Sequence, residues 1–155
     1  MTLGKQSILV DPFGAQIGLW ELITFIGMGF MMVPGTPFWF EHLSPNPAAA
    51  SQFYAECFGL EAVNYDDHYW AIKVPGAETD AYGFSFPKDP ESAECTWLVS
   101  ILIGDLENAL NLFKDSGGCT DEPFTDMGEM GRFNDASTPA GVTYGLWEAD
   151  FSENG

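Results

Sequence analysis

The chain has 155 residues, with 23 acidic against 5 basic side chains, 46% hydrophobic residues and 15% aromatic ones. That length suits one ordinary domain, which buries roughly two-thirds of its unfolded surface without disulfide staples. The formal charge of −18 excludes a nucleic-acid partner, because phosphate contacts need a Lys/Arg footprint that five bases do not supply. It equally disfavours an anionic membrane surface. The acids read as a solvated surface, and the aromatic content as a packed core rather than a disordered acidic tail.

From the N-terminus, Met1–Gln6 carries one Lys, and Asp11, Pro12 and Gly14 break the apolar region that a signal would need after it; no secretory signal is read. The most hydrophobic run, LITFIGMGFMMV over Leu22–Val33, is too short to span a bilayer and is broken by Gly27 and Gly29. It is expected to be a buried strand or linker, packed on the domain or crossing to a second chain. Cys57, Cys95 and Cys119 are odd in number, with no C-x-x-C pair. That spacing predicts buried thiols in a reducing, cytoplasmic setting rather than a disulfide framework or a zinc site.

The chain repeats itself. Pro12-Phe-Gly-Ala-Gln-Ile-Gly-Leu-Trp-Glu21 and Pro139-Ala-Gly-Val-Thr-Tyr-Gly-Leu-Trp-Glu148 share Pro, Gly, Gly, Leu, Trp and Glu at one ungapped offset, 139 − 12 = 127. The same offset matches Gly4 with Gly131 and Lys5 with Arg132. Each copy reads as a turn feeding a strand, so Ala15–Trp20 is a surplus copy of a domain-closing strand.

Between the copies, Phe38–Leu43 is a strand with Trp39, Glu41 and Leu43 on one face and Phe40 and His42 on the other. Asn46 caps a helix with Pro47 at its first position, running through Ala48 to Phe58 and closed by Gly59. Short strands follow near 60–66, 68–74 and 81–86. The second half repeats the plan: a strand over Thr96–Ile103, a helix capped by Asp105 and ending near Ser116, then strands near 119–125, 131–136 and 142–149. The fold class is α+β, with two βαβββ modules and mainly antiparallel neighbours.

This pattern resembles the vicinal oxygen chelate superfamily of glyoxalase I, bleomycin-resistance proteins and extradiol dioxygenases. The residues that carry it are Pro34-Gly-Thr-Pro-Phe-Trp-Phe-Glu-His-Leu-Ser-Pro-Asn-Pro47, Ala49–Gly59, Asp105–Gly118, Asp126-Met-Gly-Glu-Met-Gly-Arg132 and Thr138–Trp147. The likeness is nearest to tandem glyoxalase-like proteins. It implies a complete domain over 34–150, a remnant of an upstream domain over 1–33 and a disordered tail over 151–155. It also implies paired βαβββ modules forming a cupped sheet around a pocket where a divalent metal usually sits on His, Gln or Glu. Carried over residue by residue, the ligand positions fall on Trp39, near Ser85, on Leu98 or Trp97, and on Gly145. These are poor ligands, so the expectation is no metal and no cofactor.

The expected ligand-binding residues are Trp39, Glu41, Trp97, Ser100, Thr143, Gly145 and Trp147, with Tyr82, Phe84 and Met130 at the rim. Glu41 is the acid predicted to face inward. It is read either as a general base or as a polar group held by backbone or Arg132. His68, in a turn, reads as a surface residue, and the three Trp residues as core or as an aromatic cage. The functions that follow are metal-free binding of a neutral or cationic small molecule, a divergent lyase or isomerase using Glu41, or an assembly-only domain. A homodimer, possibly strand-exchanged through residues 1–33, is the expected assembly.

Overall fold

A computed structural model describes residues 2–89, 91–92, 94–121 and 123–149. The tail at 151–155 lies outside these residues. The chain divides into two compact units. One comprises the residues up to Gly29 together with Phe40–Trp97, the other Phe30–Trp39 together with the residues from Leu98 on.

The first unit opens with a hairpin of β1 (Gly4–Val10) and β2 (Gln16–Leu22), paired antiparallel from Gly4↔Leu22 to Val10↔Gln16. Next comes β3 (Pro37–Leu43), whose second half belongs to this unit. Helix α1 (Pro47–Phe58) follows the predicted signals: the Asn46 side chain accepts the Ala49 N–H, and Gly59 closes the helix at φ 68°. Strands β4 (Glu61–Asn64), β5 (Tyr69–Lys73) and β6 (Asp80–Ser85) form a meander. The last of them returns parallel to β3, with Glu41↔Gly83, His42↔Phe84 and Leu43↔Ser85. Ala50 and Tyr54, one helical turn apart on α1, pack on Ile72 and Phe84.

The second unit has the same plan. Strand β7 (Thr96–Leu102) contributes its residues from Leu98 on, and α2 (Leu106–Asp115) is capped by Asp105 accepting the Asn108 N–H. The predicted 119–125 strand is instead two short pieces, β8 (Cys119–Thr120) and β9 (Thr125–Asp126). Pro123, which has no N–H to give a ladder, lies between them. Both pair with β10 (Arg132–Ser137), which pairs antiparallel with β11 (Thr143–Glu148). β11 then returns parallel to β7, with Gly145↔Ser100 and Trp147↔Leu102. Leu106 and Leu110 press α2 onto Ala136 and Leu146, and each buried leucine stabilises by about 2 kcal/mol.

Two expectations are corrected. The hydrophobic run 22–33 is not a buried strand: Phe25 stands edge-on to Trp20, but Ile26 is 83% and Phe30 74% exposed. Gly27 at φ 112° turns the backbone where a ladder would have to continue. The thiols are not buried as a set either, since Cys57 and Cys119 are exposed and only Cys95 is partly covered.

Candidate functional site

In the first unit, the faces of β3 separate as alternation requires. Glu41 lies on one face, where it accepts a hydrogen bond from the Ser85 hydroxyl. In the second unit the Arg132 guanidinium donates to Glu148 and Glu107. Tyr82 and Trp97 instead join the core against α1: Trp97 stands edge-on to Tyr82 at 5.7 Å and to Phe84 at 5.8 Å. Its indole N–H reaches the Tyr54 hydroxyl at 3.3 Å. His68 is exposed in its turn.

His42 lies on that inner face and is fully buried. Its Nε2 is 2.8 Å from Asp11 Oδ2, the same oxygen that accepts the Tyr54 hydroxyl at 2.8 Å. Asp11 Oδ1 accepts the N–H groups of Phe13 and Ala15, each at 2.9 Å. Burial pushes the Asp11 carboxyl upward, but the bonds from Tyr54, His42 and the two amides outweigh it, and the carboxyl ends below its ordinary range. Burial drives the His42 imidazole down, with only partial compensation from Asp11; burial raises Tyr54. The group is therefore a carboxylate accepting hydrogen bonds from a neutral imidazole and a phenol. Sequence reasoning missed it. The signals were an acid at the start of a Pro-Gly turn and a histidine whose strand parity points inward.

In the second unit, Ser100, Thr143, Gly145 and Trp147 fall on the sheet face away from α2. Gly145 is where two strands come closest: a Cβ there would lie 2.3 Å from Ser100 Oγ and 2.8 Å from the Phe133 ring. Trp147 stands edge-on to Phe133 at 5.5 Å and to Phe38 at 5.3 Å, and its indole N–H donates to the Met130 carbonyl at 2.6 Å. Thr143 shares a 2.8 Å hydrogen bond with the Ser137 hydroxyl. Trp39 is half-buried and Leu98 buried. Two shallow surface concavities occur in this unit, one beside Phe113 and Pro139 and one beside Arg132 and Glu148; neither includes a predicted ligand-binding residue.

Glu148 faces α2 instead. It accepts the Leu106 N–H at 2.6 Å and takes Arg132 at 2.8 Å, and the amide bond comes first in holding its carboxyl below the usual value. Among the described residues no three His, Cys, Asp or Glu side chains gather as a metal site would need. Of the four positions that the resemblance gives to ligands, one has no side chain, two fall on Trp39 and on Leu98 or Trp97, and the Ser85 hydroxyl is directed to Glu41.

The family model of the Glyoxalase/Bleomycin resistance protein/Dioxygenase superfamily matches residues 38–145. The chain belongs to this superfamily. CFP32 of Mycobacterium tuberculosis (strain CDC 1551 / Oshkosh), which bears a provisional glyoxylase name, is 28% identical over 124 residues, 75% of this chain and 46% of that protein. The anthracycline biosynthesis protein DnrV of Streptomyces peucetius is 26% identical over 152 residues, 94% of this chain and 53% of its own length. The superfamily chain thus spans about half of each curated relative. Among solved structures, methylmalonyl-CoA epimerase from Mycobacterium tuberculosis aligns at TM-score 0.55 and 15% identity, covering 83% of this chain and 97% of that one. The Mn(II)-bound glyoxalase from Novosphingobium aromaticivorans aligns at TM-score 0.53 and 16% identity, covering 74% and 39%. Both likenesses are of fold. No helix among the described residues is long and apolar enough to cross a membrane.

Proposed function

We propose that this superfamily member binds a planar, neutral or cationic small molecule, without a metal, on the sheet face of the second unit that carries Trp147. The observation that carries this reading is the ring cluster of Phe38, Phe133 and Trp147, held by the indole bond to Met130 and bordered by the Ser100 and Thr143 hydroxyls. Rings fixed in this way offer a stacking surface at little entropic cost. The charge of −18 repels an anionic ligand and attracts a cationic one. The ligand positions at Trp39, Ser85, Leu98 or Trp97, and Gly145 present no imidazole or carboxylate, so no step runs through a metal.

The test is a calorimetric titration of matched planar aromatic compounds, cationic, neutral and anionic, against the native chain and Trp147→Ala. Neutral and cationic compounds should bind, with affinity about tenfold weaker in the variant. Equal affinity of both proteins would reject the site, and preferred binding of the anionic compound would reject the charge argument. A rise in melting temperature with added divalent ions that is lost on chelation would overturn the metal-free part.

A second reading has one observation in its favour. Glu41 accepts the Ser85 hydroxyl on the face of β3 opposite the buried His42, which suits a general base of a lyase or isomerase. Solvent deuterium exchange into a carbonyl compound at the carbon next to the carbonyl, abolished by Glu41→Gln, would establish it. Exchange that is equally fast in the variant would exclude Glu41 as the base.

A further inference from the structure

The hairpin of β1 and β2 duplicates that of β10 and β11 in three dimensions as well as in sequence. At the offset of 127, the six pairings from Lys5↔Glu21 to Val10↔Gln16 recur as those from Arg132↔Glu148 to Ser137↔Thr143. The connecting loops share their hydrogen bonds. Asp11 N–H donates to the Ala15 carbonyl and Gly14 N–H to the Asp11 carbonyl; Thr138 and Val142, and Gly141 and Thr138, do the same. The lysine or arginine is ion-paired to the glutamate in both.

The two hairpins differ in what covers them. The outer edge of β11 carries β7 in parallel, with the Ile103 N–H donating to the Trp147 carbonyl at 2.7 Å. Leu106 and Leu110 of α2 lie on Ala136 and Leu146, and Glu148 receives the N–H at the start of that helix. In the first hairpin, β2 pairs only with β1 among the described residues. Leu9 and Leu19, the equivalents of Ala136 and Leu146, are 48% and 36% exposed, whereas those two are buried.

We propose that the outer edge of β2, with Leu9, Leu19 and Glu21, is a docking seat for a parallel strand–helix unit of the kind that residues 96–115 form. The chemistry of the occupant follows from the covered copy. Its strand brings a small residue against Gly18, as Ser100 stands against Gly145. Its helix brings leucines onto Leu9 and Leu19. The positive end of that helix meets the Glu21 carboxylate, as the start of α2 meets Glu148. A second copy of this chain is a poor occupant. Its own 96–115 unit already lies on its own β10 and β11, and two bodies of charge −18 repel.

The test appends residues 34–130 of this protein ahead of Gly4, so that the added strand–helix unit stands to β1 and β2 as the native one stands to β10 and β11. Amide hydrogen exchange over 16–22 is then compared with that of the chain alone. The proposal expects exchange about tenfold or more slower in the joined chain, partly restored by Glu21→Ala. It is overturned if 16–22 exchange at one rate in both proteins, or if circular dichroism shows that the appended segment does not fold. Sedimentation of the chain alone supplies a further outcome. A dimer whose exchange footprint covers 16–22 assigns the seat to a second copy and likewise overturns the proposal.

Discussion

Residues 4–22 and 131–149 of this superfamily chain form the same hairpin with the same register, the same loop and an equivalent ion pair. One copy is covered by a parallel strand and a helix and buries Ala136 and Leu146; the other leaves Leu9, Leu19 and Leu22 to solvent. The difference teaches that local sequence decides hairpin geometry, whereas burial depends on which partner arrives. It also shows where the exposed copy is anchored. Thr138 Oγ1 accepts the Val142 N–H within its own loop, while Asp11 performs that loop function with Oδ1 and uses Oδ2 to hold His42 and Tyr54.

The largest expected effect breaks that anchor. Asp11→Ala leaves a buried imidazole and phenol without their acceptor and frees two loop amides, a loss of about 3 kcal/mol in urea unfolding. Thr138→Val, its counterpart, should cost about 1 kcal/mol. Equal losses would show that the Asp11 network adds nothing beyond the turn.

The glycine pair comes next. Gly145→Ala drives a methyl into Ser100 Oγ and the Phe133 ring and should cost about 2 kcal/mol. Part of that loss should return in the double variant Gly145→Ala/Ser100→Gly. At Gly18 the nearest atom is the flexible Ile8 side-chain end at 3.6 Å, so Gly18→Ala should change stability by less than about 0.5 kcal/mol. Matching values at the two sites would mean that β2 has a close neighbour in the native chain.

Acid should act through the same anchor. His42 has its protonation depressed by burial below the ordinary value of 6.5, so the unfolded chain takes up a proton first. Stability is therefore full above pH 6.5 and falls as pH drops below it. Asp11, also depressed, loses its contribution at more acid pH, as the pH falls through its lowered folded-state value. Urea midpoints measured from pH 7.5 to 5 should slope for the native chain and flatten for His42→Phe; parallel slopes would remove His42 from the linkage.

The smallest contrast is at the glutamates. Glu148→Ala loses the hydrogen bond from the Leu106 N–H and a partly covered ion pair, about 1 kcal/mol. Glu21, 66% exposed in its pair with Lys5, should show roughly 0.5 kcal/mol or less. Thermal unfolding of the two variants side by side measures the gap.

Much of the fold was legible in the sequence because its signals are local. Asn46 and Asp105 cap helices as side chains within one turn of the amides they bind, and Gly59 ends α1 because it alone tolerates that φ without strain. The repeat at offset 127 foretold that β2 copies β11 after an equivalent turn, since turn chemistry is local; that β1 pairs with β2 in the register of β10 with β11 emerged only in the structure. Strand alternation also separated Glu41 from His42. It did not sort Trp97 and Tyr82, which pack into the core with Tyr54 and Phe84, because aromatic runs read alike whether they serve a core or a binding face.

What the sequence by itself determined was family membership, module order and the duplicated closing strand with its turn, all set by short-range caps, turns and periodicity. Only the tertiary structure decided that Asp11 crosses 31 positions to His42 and 43 to Tyr54, that Gly145 is filled by Ser100, and that the apolar run after Leu22 stays uncovered. Those outcomes depend on which surfaces meet, and a hydrogen bond or a buried contact is made only when distant segments of chain arrive at the same place.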